Sequence, residues 1–340
     1  MKCGDLMKLI IEGYNKSIHK RDNQILIKEK DVELDKINVS KIDDILIIGK
    51  GSISFDALRL ISKNNIKLMS VDYFGNIDYI LEYPIYENLY LKKQQYKFSD
   101  SNNGLNIARE MIKSKILNQK FTIKTLNKRK NIEFVKDKEL KIDEYVNELN
   151  KMKFTSRSNV EKAKMKIMGI EGKASNDYWE SIKYLLSEDL GFEGRSKRNS
   201  LDITNMMLNY GYAILASQIT KSLVINGLDP FCGFLHFDME KRTSLTFDLI
   251  EEFRQQLVDK VVFYLLNTNQ ISIDDIDKRN NSIKLEKRKL IISSILNKIN
   301  SNINYNGSNL TYSQIIDLQS KQLVNCLISG EKYNGFYLRW

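Results

Sequence analysis

The chain changes its hydrophobic period once, and that switch limits what it can fold into more than any other feature. Up to about Tyr86 the apolar residues come in short runs of strand length, Ile25-Leu26-Ile27 and Ile45-Leu46-Ile47-Ile48, the second followed by the turn signal Gly49-Lys50-Gly51. Ser54 to Asn64 interrupts them with helical spacing at Leu58, Leu60 and Ile61, and Ile66 to Val71 returns to strand character before Phe74-Gly75-Asn76. From Gly104 the period is 3.6. Ile107, Met111, Ile112, Ile116 and Leu117 make one stripe, and others run through Val160 to Leu190, Ile203 to Val224, Leu245 to Leu266, Ile283 to Ile299 and Ser313 to Ile328. Of the two prolines, Pro84, with the polar Glu87 and Asn88 after it, marks the switch, and Pro230 separates two helices. The pattern predicts an α+β chain: a small β-rich domain over 1–86, a linker over 87–103, and a larger all-α domain of about six main helices over 104–340.

Charge is distributed unevenly over this frame. The chain carries 53 Lys plus Arg against 43 Asp plus Glu, a formal charge of +10. Residues 92–167 alone hold 20 basic against 9 acidic residues, so the remainder is close to neutral. A shorter basic group follows at Lys278, Arg279, Lys284, Lys287, Arg288 and Lys289, broken by Glu286. Basic helical surface is the electrostatic footprint of a nucleic-acid binder, and equally of a solvated helix face. Three scattered cysteines, Cys3, Cys232 and Cys326, argue against a disulfide scaffold, and the N-terminus has no secretory pattern. No apolar run approaches the roughly 18 to 20 residues of a membrane span, so a soluble, cytoplasmic protein is expected.

The scarcest side chain narrows the chemistry. There are two histidines, His19 and His236, and His19 sits in a polar stretch that reads as a turn between strands. Chemistry near neutral pH therefore falls to carboxylates, lysines, tyrosines and a metal, with His236 the available imidazole. Three segments are awkward as pure packing. Glu171 is bracketed by Gly169 and Gly172 inside a helix, a pattern of close approach by a ligand or another chain, or of a helix crossing with Glu171 at its rim. Asn226 to His236 is a Gly- and Pro-rich turn that delivers the imidazole. Asp248 and Glu251, three apart at the start of an apolar helix, share a face, with Glu252 turned away. Such a pair favours a cation nearby, or is stabilised by the helix N-terminus. Cys232 and His236, four apart, are half of a zinc site at best, because no second ligand pair exists. Carboxylates with one imidazole suit Mg²⁺ or Mn²⁺ better. There is no Walker loop, dinucleotide fingerprint or nucleophile elbow.

The order of these residues resembles one family closely, the CRISPR-associated Cas1 integrases, the larger subunit of the spacer-acquisition machinery. The matching stretches are GIEGKAS around Glu171, LNYGYAIL from Leu208, GLDPFCGFLH ending at His236, SLTFDLIEEFR from Ser244 to Arg254, the C-terminal Tyr333-Asn-Gly-Phe336-Tyr-Leu-Arg339-Trp340, and Lys115-Ile-Leu-Asn118-Gln119. The likeness departs at Gly335, a position often held by proline, which bears on tail rigidity. The resemblance implies that the all-α domain is catalytic and binds DNA. Glu171, His236 and Glu251 would ligate Mn²⁺ or Mg²⁺, and Asp248 would be a catalytic, supporting carboxylate. DNA phosphates would be held by the basic surface and by Lys115, Asn118, Arg195, Arg198, Lys241, Arg242 and Arg254.

The same resemblance implies a reaction and partners. The 3′-hydroxyl of a short foreign DNA attacks a phosphodiester at a CRISPR repeat boundary, without a covalent protein intermediate. Partners would be double-stranded DNA, as prespacer and repeat, and a second copy of the chain bound partly through the β-rich domains. A dimer of the small Cas2 protein would bridge two such homodimers. Two other readings remain open at this level: a non-catalytic DNA-binding scaffold, and a general repair nuclease for branched DNA.

Overall fold

The computed structural model describes residues 7–71, 77–81, 89–155, 159–196, 202–236, 243–277 and 281–338. Cys3, Phe74-Gly75-Asn76, Pro84, Arg198, Lys241, Arg242, Lys278, Arg279 and Arg339-Trp340 lie outside the described residues. The chain divides into two compact units, Met1–Glu87 and Asn88–Trp340.

Among the described residues the first unit is one six-stranded sheet and an α-helix. Strands β1 (Met7–Arg21), β2 (Gln24–Glu29), β3 (Val32–Asn38) and β4 (Ile42–Ile53) are followed by helix α1 (Phe55–Lys63), β5 (Lys67–Val71) and β6 (Ile77–Leu81). The order is β3-β2-β1-β4-β5-β6, with β1 parallel to β4, β4 parallel to β5, and the other pairs antiparallel. The β-branched runs supply the core: Ile25, Ile27 and Ile45 pack with Ala57, Ile61 and Leu68. Ser54 opens α1 by accepting a hydrogen bond from Ala57 N at 3.2 Å. His19 is not in a turn. It lies in β1 opposite Leu26, and the hairpin turns at Asp22, whose φ is 54°. The strand escapes a period-two reading because polar Lys16, Ser17, His19 and Lys20 surround its buried Ile18.

The second unit is helical. It comprises α2 (Leu89–Ser99), α3 (Asn102–Lys130), α4 (Glu133–Lys151), α5 (Val160–Leu185), α6 (Ile203–Ile225), α7 (Ser244–Leu249), α8 (Lys260–Asn267), α9 (Leu285–Ile299) and α10 (Tyr312–Ser329). Helix α3 lies at its centre, against both α4 and α5. Ile107, Met111, Ile112 and Ile116 are fully buried, Leu117 half-buried, and the polar Ser114, Lys115, Asn118, Gln119 and Thr122 are buried as well. A helix covered on so many sides is a scaffold on which other elements converge.

Two expectations are corrected. The stretch 87–103 contains helix α2, fixed by the buried Leu91 and Gln95, so it is not a plain linker. Residues 245–266 are not one helix. After α7 a 3-10 turn (Ile250–Glu252) and a π turn (Gln255–Asp259) intervene before α8. All eight residues of those turns are buried, so tertiary packing rather than an apolar stripe sets their geometry. The expected β-rich unit followed by a larger helical one is what the structure has, with two short ribbons beside the helices, β7 (Ile276–Asp277) with β8 (Ser282–Ile283), and β9 (Asn302–Tyr305) with β10 (Ser308–Thr311). The second ribbon turns on Asn306-Gly307, both at positive φ. Among the described residues no helix is long and apolar enough to cross a membrane.

Candidate metal centre

His236 arrives on the loop after α6, and two buried polar side chains shape that loop. Gln95 of α2 donates to the carbonyls of Asp229 and Cys232, both at 2.8 Å, and accepts from Asp229 N at 2.9 Å. Asp248 of α7, 1% exposed, gathers the other end. Its Oδ2 accepts from Phe234 N (2.5 Å) and Leu235 N (2.9 Å), and its Oδ1 from His236 N (3.1 Å). The same Oδ1 lies 2.6 Å from His236 Nδ1. A carboxylate on Nδ1 makes that nitrogen the protonated one, so Nε2 is the lone-pair nitrogen presented to a ligand. Asp248 is therefore fully engaged in positioning the loop and its imidazole, and its place is behind the histidine rather than on an ion.

The two glutamates meet at a lysine. Lys115 Nζ, on α3, ion-pairs with Glu171 Oε1 of α5 and with Glu251 Oε2 of the 3-10 turn, the latter at 2.6 Å. Ser175, one turn after Glu171, donates to Glu171 Oε1 at 2.9 Å and accepts from Gln119 at 3.1 Å. Arg254 Nε stands 3.0 Å from Glu251 Oε2. Burial alone would raise the Glu251 carboxyl, but the charges of Arg254 and Lys115, with a smaller contribution from His236, hold it at about 2. Lys115 is buried, yet Glu251 and Glu171 raise its pKa above the ordinary lysine value.

Behind Arg254 is a second layer. Its guanidinium lies 4.3 Å from the centre of the Tyr212 ring, and Arg195 lies 5.3 Å from the same ring. Tyr212 and Tyr178 donate to the two oxygens of Asp259, at 2.5 and 2.7 Å. Burial pushes the Asp259 carboxyl up to about 6 against those hydrogen bonds. Glu252 faces the opposite way from Glu251. It accepts from Tyr333 OH (2.6 Å) and Phe336 N (2.7 Å), and burial pushes it up to about 8.

Several sequence expectations change here. Among the described residues, a Cβ at Gly169 or Gly172 would meet nothing within 4 Å, so no described helix crosses there. Asp248 and Glu251 do not share partners: Asp248 meets the loop and imidazole of His236, and Glu251 meets Lys115 and Arg254. Asn118 is fully buried, donating to the carbonyls of Glu252 (2.8 Å) and Phe336 (3.0 Å), and so is not a DNA contact. Lys115 and Arg254 are consumed by the glutamates and belong to the centre rather than to a phosphate surface. Arg195 is half-buried and tied to Asn205 and Asn209 at 2.8 and 2.6 Å. Within the basic stretch, Lys138 is buried on Asp177 and Glu180, while Lys124, Lys128, Arg129 and Lys130 are exposed at the end of α3. Gln95, Glu252, Tyr212 and Asp259 were not anticipated. A polar residue inside an apolar stripe is the signal that marks Gln95.

Among the described residues no three His, Cys, Asp or Glu side chains form a ready-made cage. The donor set nevertheless fits a hard divalent ion: two carboxylates on separate elements, one oriented imidazole, and a buried oxygen, Glu251 Oε2, already placed against positive charge by Lys115 and Arg254. Lys115 supplies the positive charge between the carboxylates.

A family model described as CRISPR associated protein Cas1 matches residues 9–295. The chain is 66% identical over 334 residues to CRISPR-associated protein Cas1 3 of Methanobrevibacter ruminantium, covering 98% of this chain and all of that one. It is 36% identical over 348 residues to CRISPR-associated endonuclease Cas1 1 of Archaeoglobus fulgidus, again over 98% and 100%. Among solved structures, a casposase bound to its integration product superposes with a TM-score of 0.76 at 25% identity, over 97% of this chain and 93% of that one.

Proposed function

Because the chain belongs to the CRISPR-associated Cas1 family, we propose that Glu171, His236 and Glu251 are the metal ligands of a DNA endonuclease and integrase that inserts short foreign fragments into a CRISPR array. The carrying observation is the convergence of two carboxylates from different elements on one cation, Lys115. In the reaction, a DNA 3′-oxygen forms a bond to phosphorus as the bond to the repeat strand's bridging oxygen breaks. The proton leaves the attacking hydroxyl and one is returned to the departing oxygen. Mn²⁺ or Mg²⁺, held by these three residues, would polarise the phosphate and stabilise charge on the entering and leaving oxygens.

The chain's own side chains prepare that step. Asp248 holds His236 so that Nε2 faces outward, and Gln95 fixes the loop on which it rides. Arg254 and Lys115 keep Glu251 ionised, hence a ligand, at any working pH. Lys115 balances the charge of Glu171 and Glu251, the role that a divalent ion held by them would supply. His236 would ligate through Nε2, the nitrogen that Asp248 leaves with its lone pair. The exposed lysines and arginines at the end of α3 provide phosphate contacts without sequence reading. The proposal extends to a homodimer joined partly through the β-rich units, to a bridging Cas2 dimer, and to a cytoplasmic setting.

The test is Mn²⁺-dependent strand transfer and nicking on branched DNA by wild type, Glu171→Ala and His236→Ala. Loss in both variants is expected, and equal activity in all three would sink the site. Mn²⁺ binding abolished in Glu251→Ala would exclude a non-catalytic scaffold. Co-purification with Cas2 would separate an integrase from a general repair nuclease.

A further inference from the structure

The C-terminal segment after α10 runs back over the turn that carries Glu251. Gly330, at φ 71°, reverses the chain, and Tyr333 and Phe336 are buried beyond it. They grip the far side of the 3-10 turn. Tyr333 OH donates to Glu252 Oε1 and Phe336 N to Glu252 Oε2, while the Phe336 ring stacks on Phe253 with 4.9 Å between centres and 9° between planes. Asn118 closes the arrangement. Its amide nitrogen donates to the carbonyls of Glu252 and Phe336, and its oxygen accepts from Leu338 N at 3.2 Å. Gly335 admits no side chain: a Cβ there would fall on Ser114 Oγ and within 2.9 Å of Glu252 Oε1.

The near side of the same turn is the metal centre. Glu251 meets Lys115 and Arg254, and Lys115 and Asn118 are three residues apart on α3. One helix thus holds the turn from both sides, with Lys115 on Glu251 and Asn118 on Glu252 and the tail. A 3-10 turn has few internal hydrogen bonds of its own, so its rotation depends on such outside partners.

We propose that the segment Lys332–Leu338 is a positioning element for Glu251, whose docking on Glu252, Phe253 and Asn118 sets the orientation of that carboxylate and so the affinity of the centre for its ion. The affinity half of this rests on the metal reading above; the orientation half does not.

Hydrogen exchange and Mn²⁺ calorimetry on wild type and Tyr333→Phe test both halves. The variant removes one hydrogen bond and keeps the ring. Exchange at 249–254 is expected to rise about tenfold, with the α5 backbone around Glu171 unchanged, and Mn²⁺ affinity to fall about five- to tenfold. Saturating Mn²⁺ should restore strand transfer. A second variant ending at Glu331 should show larger effects, reversed by adding a peptide of residues 332–340. Unchanged exchange at 249–254, or a rise spread evenly over the helical unit, overturns the proposal. Wild type that binds no Mn²⁺ refutes the metal reading, and the exchange data still decide the positioning role.

Discussion

Replacing Asp248 by asparagine tests the logic of the imidazole most directly. The carboxylate accepts four contacts, two at each oxygen, and no water reaches it. An amide of the same shape has one acceptor and one donor end, so two donors must face its NH₂. If the NH₂ faces Phe234 N and Leu235 N, both backbone donors lose their partner. At about 1.5–3 kcal/mol for each hydrogen bond to a charged group, that costs about 3–6 kcal/mol. If it faces His236, the backbone N–H is orphaned but the imidazole adapts by moving its proton from Nδ1 to Nε2, which halves the cost to about 1.5–3 kcal/mol. The second arrangement wins, and it places a proton on Nε2, the nitrogen proposed to ligate. Asp248→Asn should therefore lose about 1.5–3 kcal/mol in urea denaturation, and most of its Mn²⁺ affinity. With His19 and His236 the only imidazoles, side-chain ¹⁵N spectra report the tautomer directly. A variant whose His236 stays protonated at Nδ1 and binds Mn²⁺ like wild type refutes the reasoning.

Three further perturbations have defined outcomes. Lys115→Met removes the cation between the buried Glu251 and the half-buried Glu171 and should destabilise the metal-free protein by at most about 3–5 kcal/mol, with Mn²⁺ raising its melting temperature more than that of wild type; an equal shift in both counts against the counter-charge role. Glu252 has a folded pKa of about 8, above its unfolded 4.5, so its stabilising contribution is complete below about pH 4.5 and is lost as pH rises through 8. Glu252→Gln has no such dependence, and its stability relative to wild type should climb between about pH 5 and pH 8 in metal-free melts, by up to about 1.4 kcal/mol per pH unit. A constant difference contradicts the assignment. Gly211→Ala would press a Cβ into Val258 Cγ1 of the π turn and to 2.9 Å from Ile295 Cδ1, costing about 1–3 kcal/mol in denaturation, whereas an unchanged midpoint would mean the turn yields freely.

The fold was legible wherever burial follows one stripe. The spans read from Ile283 and Ser313 match α9 and α10 to within about two residues, the usual scatter of helix ends. Legibility failed where polar residues do the packing or where everything is buried. Helix α2 is anchored by Gln95 on backbone carbonyls 134 and 137 residues away, which no local pattern encodes. The break between α7 and α8 is invisible because every residue from Leu249 to Phe253 is buried and a continuous apolar reading fits equally well. The Asn306-Gly307 ribbon, by contrast, carried an ordinary hairpin signal that the surrounding helical period masked.

In the candidate site the acids stand out in the sequence and the bases do not, and the asymmetry has a physical cause. A carboxylate between glycines or beside another carboxylate is locally costly, so it stands out against its own neighbours. A lysine or arginine in a basic stretch looks like its neighbours and is assigned with them to the surface, although one buried among acids does the opposite work. Helix α3 shows what separates the two. Lys113, Lys120 and Lys124 lie off the buried face, whereas Lys115 falls in a second stripe with Ser114, Asn118, Gln119 and Thr122, spaced by three or four, all buried and all polar. A polar stripe at helical spacing beside an apolar one cannot be a solvent face, because the remaining arc of the helix already serves as that face. It must meet polar partners brought by other elements, which here are Glu251, Glu252, Glu171, Ser175 and the C-terminal segment. Lys115 is thereby assigned to carboxylates rather than phosphates by its position on the helix, which its charge alone does not decide.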